Sequence, residues 1–151
     1  GFIDAISEFL LRERPFLGIC LGMQMLFTSS EELKYSNGLN LIDGRVIKLP
    51  KRNVNHTLNK IPHVGWAQLF HENESKWDKS VLHDQKQRVY VYFVHSFFPS
   101  KINETHILAY SKFGDMKFGS VVQKDNIIGM QYHPEKSGEQ GIKMLKHLLD
   151  Q

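Results

Sequence analysis

The sequence has little of several features that define common classes of protein. Its 151 residues include one cysteine, so no disulfide forms within the chain and a reducing compartment suits it. The longest apolar run, residues 15–27, contains Gln24 and is too short to span a bilayer. The chain opens without a basic segment, an apolar core and a cleavage site, so we expect a cytoplasmic protein without a membrane partner.

Basic residues outnumber acidic ones by 19 to 16, but they are scattered along the chain. Without a basic cluster interleaved with aromatic residues, we expect no nucleic-acid partner. None of the eight histidines forms an HxxxH pair, and a single cysteine cannot form a CxxC pair. The sequence therefore predicts no metal site and no cofactor.

The one cysteine lies inside a distinctive motif, Gly18-Ile19-Cys20-Leu21-Gly22. Residues 15–17 before it are typical of a short buried strand, and residues 23–27 after it of a buried helix. This pattern predicts a nucleophile elbow, with glycines where side chains would clash with neighbouring backbone. A helix N-terminus would also lower the pKa of the thiol. The alternative is a core cysteine that packs as a small hydrophobic residue.

A second set of residues supplies the groups that a thiol nucleophile needs. His133, Pro134 and Glu135 follow an apolar strand at residues 127–132, so the histidine could act as base and the glutamate could orient it. Gln24 lies four residues after Cys20, on the same helical face, where its amide could contact a small polar substrate. The alternatives are an ordinary loop histidine and a glutamine that bonds to backbone.

Periodicity and turn residues predict an α/β fold in which helices flank a strand-rich middle. We expect an amphipathic helix at 2–13, a capping box at 29–32 that opens a polar helix or loop, and a hairpin of 39–42 with 45–49. Residues 51–60 resemble an exposed loop. Further strands are predicted after 61 to about 70, at 88–98, and around 106–111, 117–123 and 127–131.

The chain should close with a helix that begins at a capping box, residues 137–140. Its predicted buried stripe is Ile142, Leu145, Leu148 and Leu149. An elbow strand belongs to a parallel part of a sheet, and parallel strands need crossover connections. Because only one helix precedes the elbow, we expect a single domain over residues 1–151 that is the C-terminal part of a mixed, flavodoxin-like sheet and lacks its N-terminal βα units.

Taken together, Gly18–Gln24 and Tyr132–Ser137 resemble the class I (triad) glutamine amidotransferases. Pro62–Trp66 and Tyr92–Phe97 are similar to the glutaminase subunits of imidazole glycerol phosphate synthase, which acts in histidine biosynthesis. The resemblance runs over residues 1–151. It implies the fold of that family and a chain that hydrolyses glutamine to glutamate and ammonia.

The resemblance also implies roles for single residues. Cys20 would attack the amide of glutamine, with His133 as base and acid and Glu135 orienting the imidazole. The backbone N–H of Leu21 would be one oxyanion donor. Further substrate-binding residues would be Gln24, Ser96 and Phe97. Trp66 and Lys136 would face a (β/α)8 cyclase subunit that receives the ammonia in a heterodimer.

Two departures from the family pattern leave alternatives open. Relatives have a glycine-rich oxyanion strand upstream of the elbow, and residues 1–17 of this sequence show no such strand. In addition, Ala67 stands where many relatives have asparagine. The sequence resembles almost as well paralogues that supply ammonia to sugar-modifying synthases. A catalytically silent subunit that binds a partner, and a Cys/His peptidase, are further alternatives.

Overall fold

A computed structural model describes most of the chain, namely residues 1–12, 14–52, 54, 56–78, 80–83, 85 and 89–150. The α-helices within these ranges are α1 (Phe2–Leu10), α2 (Leu21–Met25) and α3 (Gly138–Leu149). The strands are β1 (Phe16–Ile19), β2 (Phe27–Ser30), β3 (Ser36–Asn37), β4 (Ile42–Lys48), β5 (His63–Gln68), β6 (Tyr90–His95), β7 (Phe97–Ser100), β8 (Ile107–Phe113), β9 (Met116–Lys124) and β10 (Ile127–Met130). Short 3₁₀ turns lie at Glu74–Lys76, Glu104–His106 and Pro134–Lys136.

The strands form three sheets, of which two have mixed strand directions and one is a two-stranded antiparallel ribbon. The first has the order β1-β10-β9-β8, in which β1 runs parallel to β10 and the other pairs are antiparallel. The second has the order β3-β2-β4-β7, and β5 pairs with β6 in an antiparallel ribbon. The mixed α/β class predicted from the sequence is confirmed.

Helices α2 and α3 contribute to two hydrophobic clusters. Met144 and Leu148 of α3 pack with Phe93, Ile128 and Tyr132 in the larger cluster. A smaller cluster contains residues from α2 and its end, from β4 and from the first sheet: Met23, Leu26, Val46, Val122 and Ile127. Strands β1 and β10, which lead to Cys20 and His133, thus pack against both hydrophobic clusters. No described helix combines the length and the hydropathy of a membrane span.

Several predicted elements are present with shifted bounds. The first helix ends at Leu10 instead of residue 13, which lies outside the described residues. The elbow strand, the strand before residue 70 and the last three strands are confirmed. Within the loop at 51–60, the described residues are exposed except for half-buried Asn59, while residues 53 and 55 lie outside the described part.

The predicted hairpin at 39–49 is wrong. Asp43 and Gly44 lie inside β4, which runs straight through them and pairs in parallel with β2. Gly44 has φ of 146°, a value open to glycine, and Phe27 packs 2.9 Å from where a Cβ would stand. The Asp-Gly pair therefore serves close packing within a strand instead of a turn.

Two neighbouring predictions also need correction. Phe27 is not helical, because α2 ends at Met25 and Phe27 begins β2. The predicted capping box at 29–32 opens no helix, and the Ser30 hydroxyl accepts a hydrogen bond from the Glu32 N–H in a bend. The loop alternative for this segment is the right one.

The strand predicted at 88–98 is in fact two strands. It breaks at Ser96, where the chain leaves the ribbon with β5 and joins β4 of the second sheet. Arg88, its predicted first residue, lies outside the described residues. The break matters for function because it lies at the wall of a cavity.

The last helix forms at the expected place, but its details differ. The Ser137 hydroxyl caps no N–H of α3, because it donates to the His133 carbonyl and accepts from the Tyr92 N–H. The buried face is Gly141, Met144 and Leu148, whereas Ile142 and Leu149 of the predicted stripe are exposed. The predicted stripe is therefore right at Leu148 and wrong at Ile142 and Leu149.

Candidate functional site: a cysteine elbow over a cavity

Cys20 lies at a sharp turn between β1 and α2. Its φ of 50° and ψ of −105° are unfavourable for a residue with a side chain. Its N–H donates to the Met130 carbonyl at 2.8 Å, which ties the turn to the end of β10. The nucleophile-elbow geometry expected from the sequence is present, and strain of this kind persists only where the surroundings enforce it.

The two glycines of the motif have different roles. A Cβ on Gly18 would lie 2.6 Å from the backbone of Gly22, so only glycine fits there. A Cβ on Gly22 would meet nothing within 4 Å. The expectation of a clash is therefore right for Gly18 and wrong for Gly22.

The electrostatic surroundings of Cys20 differ from the expectation. Burial is the main influence and raises the pKa of the thiol above its usual value. The Leu21 backbone N–H lowers this pKa, nearby Glu32 and Glu135 raise it, and a hydrogen bond from Gln131 lowers it. The predicted net lowering is wrong because α2 has only five residues and desolvation outweighs its N–H groups.

His133 follows β10 just as Cys20 follows β1. Because these two strands are parallel neighbours, the residues after both meet at one edge of the sheet. The His133 N–H donates to the Tyr92 carbonyl at 2.9 Å, which holds the turn against β6. His133 Nδ1 lies 2.7 Å from Glu135 Oε1, so Nδ1 carries the proton that the carboxylate accepts.

The other nitrogen of this imidazole is available. His133 Nε2 is buried and has no hydrogen-bond partner among the described residues. Cys20 Sγ lies 3.7 Å from the Val94 carbonyl, to which the thiol donates, and the described hydrogen bonds include none between Sγ and the His133 ring. Catalytic hydrogen bonds often form or shorten only when substrate binds.

A cavity of about 580 Å³ opens beside the cysteine. Its lining includes Cys20 and all the residues predicted to bind substrate: Leu21, Gln24, Ser96 and Phe97. Glu32 and His95 also line it, and the sequence analysis assigned neither to the site. The only signal for Glu32 was its position in a polar segment after the elbow helix, which does not indicate that the segment folds back over the cysteine.

Gln24 is buried, and its amide is already bonded within the protein. Nε2 donates to the Phe97 carbonyl at 2.9 Å and to Gln131 Oε1 at 3.1 Å. The carbonyl oxygen of Gln24 is thus the part of the side chain that a ligand in the cavity can use. Gln131 was also missed, although it is the one polar side chain at the end of an apolar strand just before His133.

The two residues predicted to face a partner are both exposed. The Trp66 side chain is 55% exposed and packs edge-on against Tyr92, with ring centroids 5.9 Å apart. Trp66 is therefore not part of the hydrophobic core. Lys136 is exposed in the turn that follows His133.

Trp66 belongs to an apolar surface that we call the ribbon face. In the β5–β6 register, Val64 lies opposite Val94 and Trp66 opposite Tyr92, so their side chains share one side. The ribbon face consists of Val64, Trp66, Tyr90, Tyr92 and Val94, of which all but half-buried Tyr92 are exposed. Within the described ranges, no three His, Cys, Asp or Glu side chains lie close enough to hold a metal ion.

Comparison with known proteins identifies the family. The family model for class-I glutamine amidotransferases matches residues 1–151. Imidazole glycerol phosphate synthase subunit HisH 1 of Legionella pneumophila is 40% identical over 150 residues, covering 99% of this chain and 70% of the relative. Subunit HisH of Geobacter metallireducens is 42% identical over 149 residues, covering 97% of this chain and 68% of the relative.

A solved structure supports the same assignment at the level of the fold. The structure of PurLQS from Thermotoga maritima matches with a TM-score of 0.67 and 18% identity, covering 98% of this chain and 66% of that chain. This chain thus spans about two thirds of the length of its relatives. The fold, the elbow and the family match agree, and the chain belongs to the class-I glutamine amidotransferase family.

Proposed function

We propose that this chain is the glutaminase part of an imidazole glycerol phosphate synthase. It hydrolyses glutamine to glutamate and ammonia for histidine biosynthesis, a proposal supported by the family match and by relatives of 40–42% identity that are named as subunits of this synthase. The observation that carries the proposal is a strained cysteine elbow that opens into a cavity large enough for an amino acid. Residues 1–151 act as part of one amidotransferase domain in the cytoplasm, where the free thiol of Cys20 stays reduced.

The proposed reaction begins with the attack of Cys20 Sγ on the side-chain amide carbon of glutamine. His133 Nε2 accepts the thiol proton and returns it to the leaving nitrogen, which departs as ammonia. Water then attacks the thioester, the sulfur leaves, and glutamate is released. His133 again accepts and returns a proton in this second half. Glu135 holds the imidazole with Nε2 towards the sulfur and stabilises its charged form.

The remaining cavity residues bind the substrate in this proposal. The Leu21 N–H already points to Sγ. In the tetrahedral intermediate it donates to the negatively charged oxygen bonded to the attacked carbon. Glu32 offers a carboxylate and Gln24 a carbonyl oxygen, which suit the α-ammonium group of glutamine. Ser96 and Phe97, at the break between β6 and β7, complete the lining of the cavity in this proposal.

The ribbon face is the proposed docking surface for the cyclase subunit, a (β/α)8 barrel that forms a heterodimer with this chain. An exposed tryptophan surrounded by apolar and aromatic side chains fits a binding hot spot. Lys136 extends this surface, because its turn is bonded to Tyr92 at the centre of the ribbon face. Ammonia released at Cys20 then leaves close to the partner, since Val94 belongs both to the ribbon face and to the cavity wall.

The test combines labelling with a steady-state assay. An electrophilic glutamine analogue should modify Cys20 alone, as mapped by mass spectrometry, and Cys20→Ala should abolish glutaminase activity. Addition of a cyclase subunit should raise glutamate production. Labelling at another residue, or full activity of Cys20→Ala, would refute the nucleophile.

A pull-down with the intact chain identifies the acceptor enzyme. Capture of a sugar-modifying synthase in place of a cyclase would refute the assignment to histidine biosynthesis. The assignment of glutaminase activity would stand. If the chain binds a partner but the complex of the two hydrolyses no glutamine, the chain is a catalytically silent binding subunit instead.

A further inference from the structure

Gln131 is a buried amide directly beside the nucleophile, and the proposed mechanism gives it no role. It follows the last residue of β10, and its side chain has no exposed surface. Its backbone N–H donates to the Ser120 carbonyl at 2.9 Å, which fixes the backbone. Its side-chain Nε2 lies 3.8 Å from Cys20 Sγ. A fully buried amide costs free energy unless each polar atom has a partner, so its placement needs an explanation.

The surrounding hydrogen bonds determine which way this amide points. The Phe97 carbonyl can only accept, so the Gln24 atom 2.9 Å from it must be the nitrogen. That nitrogen has a second hydrogen, which it donates to Gln131 at 3.1 Å, so the Gln131 atom that accepts it must be the oxygen. The remaining Gln131 atom, which faces the sulfur, is therefore the NH₂ group. A reversed Gln131 would place two donors against each other.

The orientation is fixed further at its far end. The Phe97 carbonyl also accepts a hydrogen bond from His95 Nδ1 at 2.8 Å, so it has two donors. His95 in turn bonds to His63 on β5 at 3.1 Å. The Gln131 amide is thus the last member of a chain of hydrogen bonds that begins at His63, passes through the Phe97 backbone carbonyl and ends at the sulfur.

We propose that Gln131 is a catalytic residue of the glutaminase site, whose side-chain N–H donates to Cys20 Sγ and stabilises the thiolate during attack and thioester breakdown. The inference rests on the proposed function. Gln24 acts as its positioning residue through the bond to Oε1. A hydrogen bond to a charged acceptor is stronger than one to a neutral acceptor, so the interaction strengthens when the thiol loses its proton.

The other groups around the sulfur explain why such a donor is needed. Burial, Glu32 and Glu135 all raise the pKa of the Cys20 thiol. The Val94 carbonyl accepts from the thiol at 3.7 Å and offers nothing to a thiolate. Among the described residues, the Leu21 N–H and the Gln131 amide donate to Sγ, and His133 takes its proton in the proposed reaction. Removal of either donor should therefore leave a thiol that ionises at higher pH.

The decisive measurement is the pH dependence of Cys20 alkylation by iodoacetamide. Because Cys20 is the only cysteine, the rate reports on this thiol alone and does not depend on glutamine hydrolysis. Gln131→Met keeps the volume and removes the donor, so the midpoint should rise by about one pH unit. Gln131→Glu keeps the oxygen that accepts from Gln24 and replaces the donor by a carboxylate, so the midpoint should rise further.

The matched control is Gln123→Met, since Gln123 lies on β9 opposite Ile128, away from the cysteine. Its alkylation profile should equal that of the unmodified chain. An unchanged midpoint in a folded Gln131→Met variant would overturn the role of Gln131. The role of Gln131 would also be refuted if the Gln131 variants lost glutaminase activity while their alkylation profiles stayed unchanged. The loss of activity would then come from altered packing.

A second measurement needs no variant and covers the case in which the Gln131 variants do not fold. In the unmodified chain, the side-chain amide NMR signals of Gln131 should shift with pH at the midpoint found by alkylation. Signals that stay constant through that titration would refute the contact. A shift at the alkylation midpoint in a chain without glutaminase activity would support the contact and refute the proposed function instead.

Discussion

His63 and His95 face each other across β5 and β6, with Nδ1 of His63 3.1 Å from Nε2 of His95. Because His95 Nδ1 donates to the Phe97 carbonyl, its Nε2 accepts, and His63 Nδ1 must donate. This arrangement requires the His95 ring to be neutral, because its Nε2 must accept. Burial lowers the pKa of His63, and it lowers the pKa of His95 to about 4.

The first prediction is a loss of stability in acid. An unfolded His95 binds a proton near its usual pKa of 6.5, whereas the folded one stays neutral until about pH 4. Stability is therefore complete above pH 6.5 and falls as the pH drops towards 4, by up to roughly 3 kcal/mol. Urea unfolding at a series of pH values measures this. His95→Gln should flatten the curve between these values, while His56→Gln, at an exposed loop histidine, should not. Equal slopes for both variants would contradict the assignment.

The second prediction concerns the His133–Glu135 pair. His133→Ala should lower kcat for glutamine by roughly 10²–10⁴-fold, because the base is lost. Glu135→Ala should cost less, since this residue orients the imidazole and leaves the proton acceptor in place. The double variant Cys20→Ser/His133→Ala should be no worse than the poorer single variant. Glu139→Ala, at an exposed residue of α3, is the control and should keep full activity. Losses that multiply would argue against a single catalytic unit.

The third prediction tests the ribbon face. Trp66→Ala should weaken binding of the cyclase subunit by about 2 kcal/mol or more, as for a hot-spot tryptophan, with little change of Tm. Lys136→Ala should weaken binding less. Leu149→Ala removes another exposed apolar side chain, outside the ribbon face, and should change neither quantity. A large fall of Tm with unchanged affinity, measured by calorimetry, would show that Trp66 serves the fold instead.

The fourth prediction separates the two glycines of the elbow. Gly18→Ala forces a Cβ to within 2.6 Å of the Gly22 backbone, so we expect a strongly destabilised or insoluble protein. Gly22→Ala meets open space within α2 and should preserve or slightly raise the free energy of unfolding, because alanine favours a helix by about 1 kcal/mol over glycine. Denaturant unfolding of both variants distinguishes these outcomes. Equal destabilisation would contradict the asymmetry.

The sequence predicted the parts of the site that depend on local signals. The glycine at position 18, the cysteine and the His-Pro-Glu segment each lie at the end of an apolar strand or just after it, and the ends of neighbouring parallel strands meet at one edge of the sheet. The sequence could not predict Glu32 or Gln131 as parts of the site. Their roles depend on contacts with residues far away in the chain, such as the bond of Gln131 to Gln24.

The errors in the fold have a similar cause. Asp43-Gly44 has the composition of a turn, but packing against Phe27 makes it part of a strand. The apolar run at 90–100 shows one continuous pattern, yet the chain changes sheets at Ser96 because two different partners, β5 and β4, are available on either side. Local propensity cannot distinguish these cases.

The alternation of side chains along β6 also determines how the proposed docking surface can change in evolution. The odd-numbered residues of this strand, Val91, Phe93 and His95, are buried in the core and at the cavity, while even-numbered Tyr90, Tyr92 and Val94 point to the ribbon face. Substitutions at Tyr90 and Tyr92 can therefore change the ribbon face without changing the side chains that pack in the core or line the cavity. In the proposed docking, substitutions at these two positions would change which synthase is recognised, while the buried positions of the same strand stay unchanged.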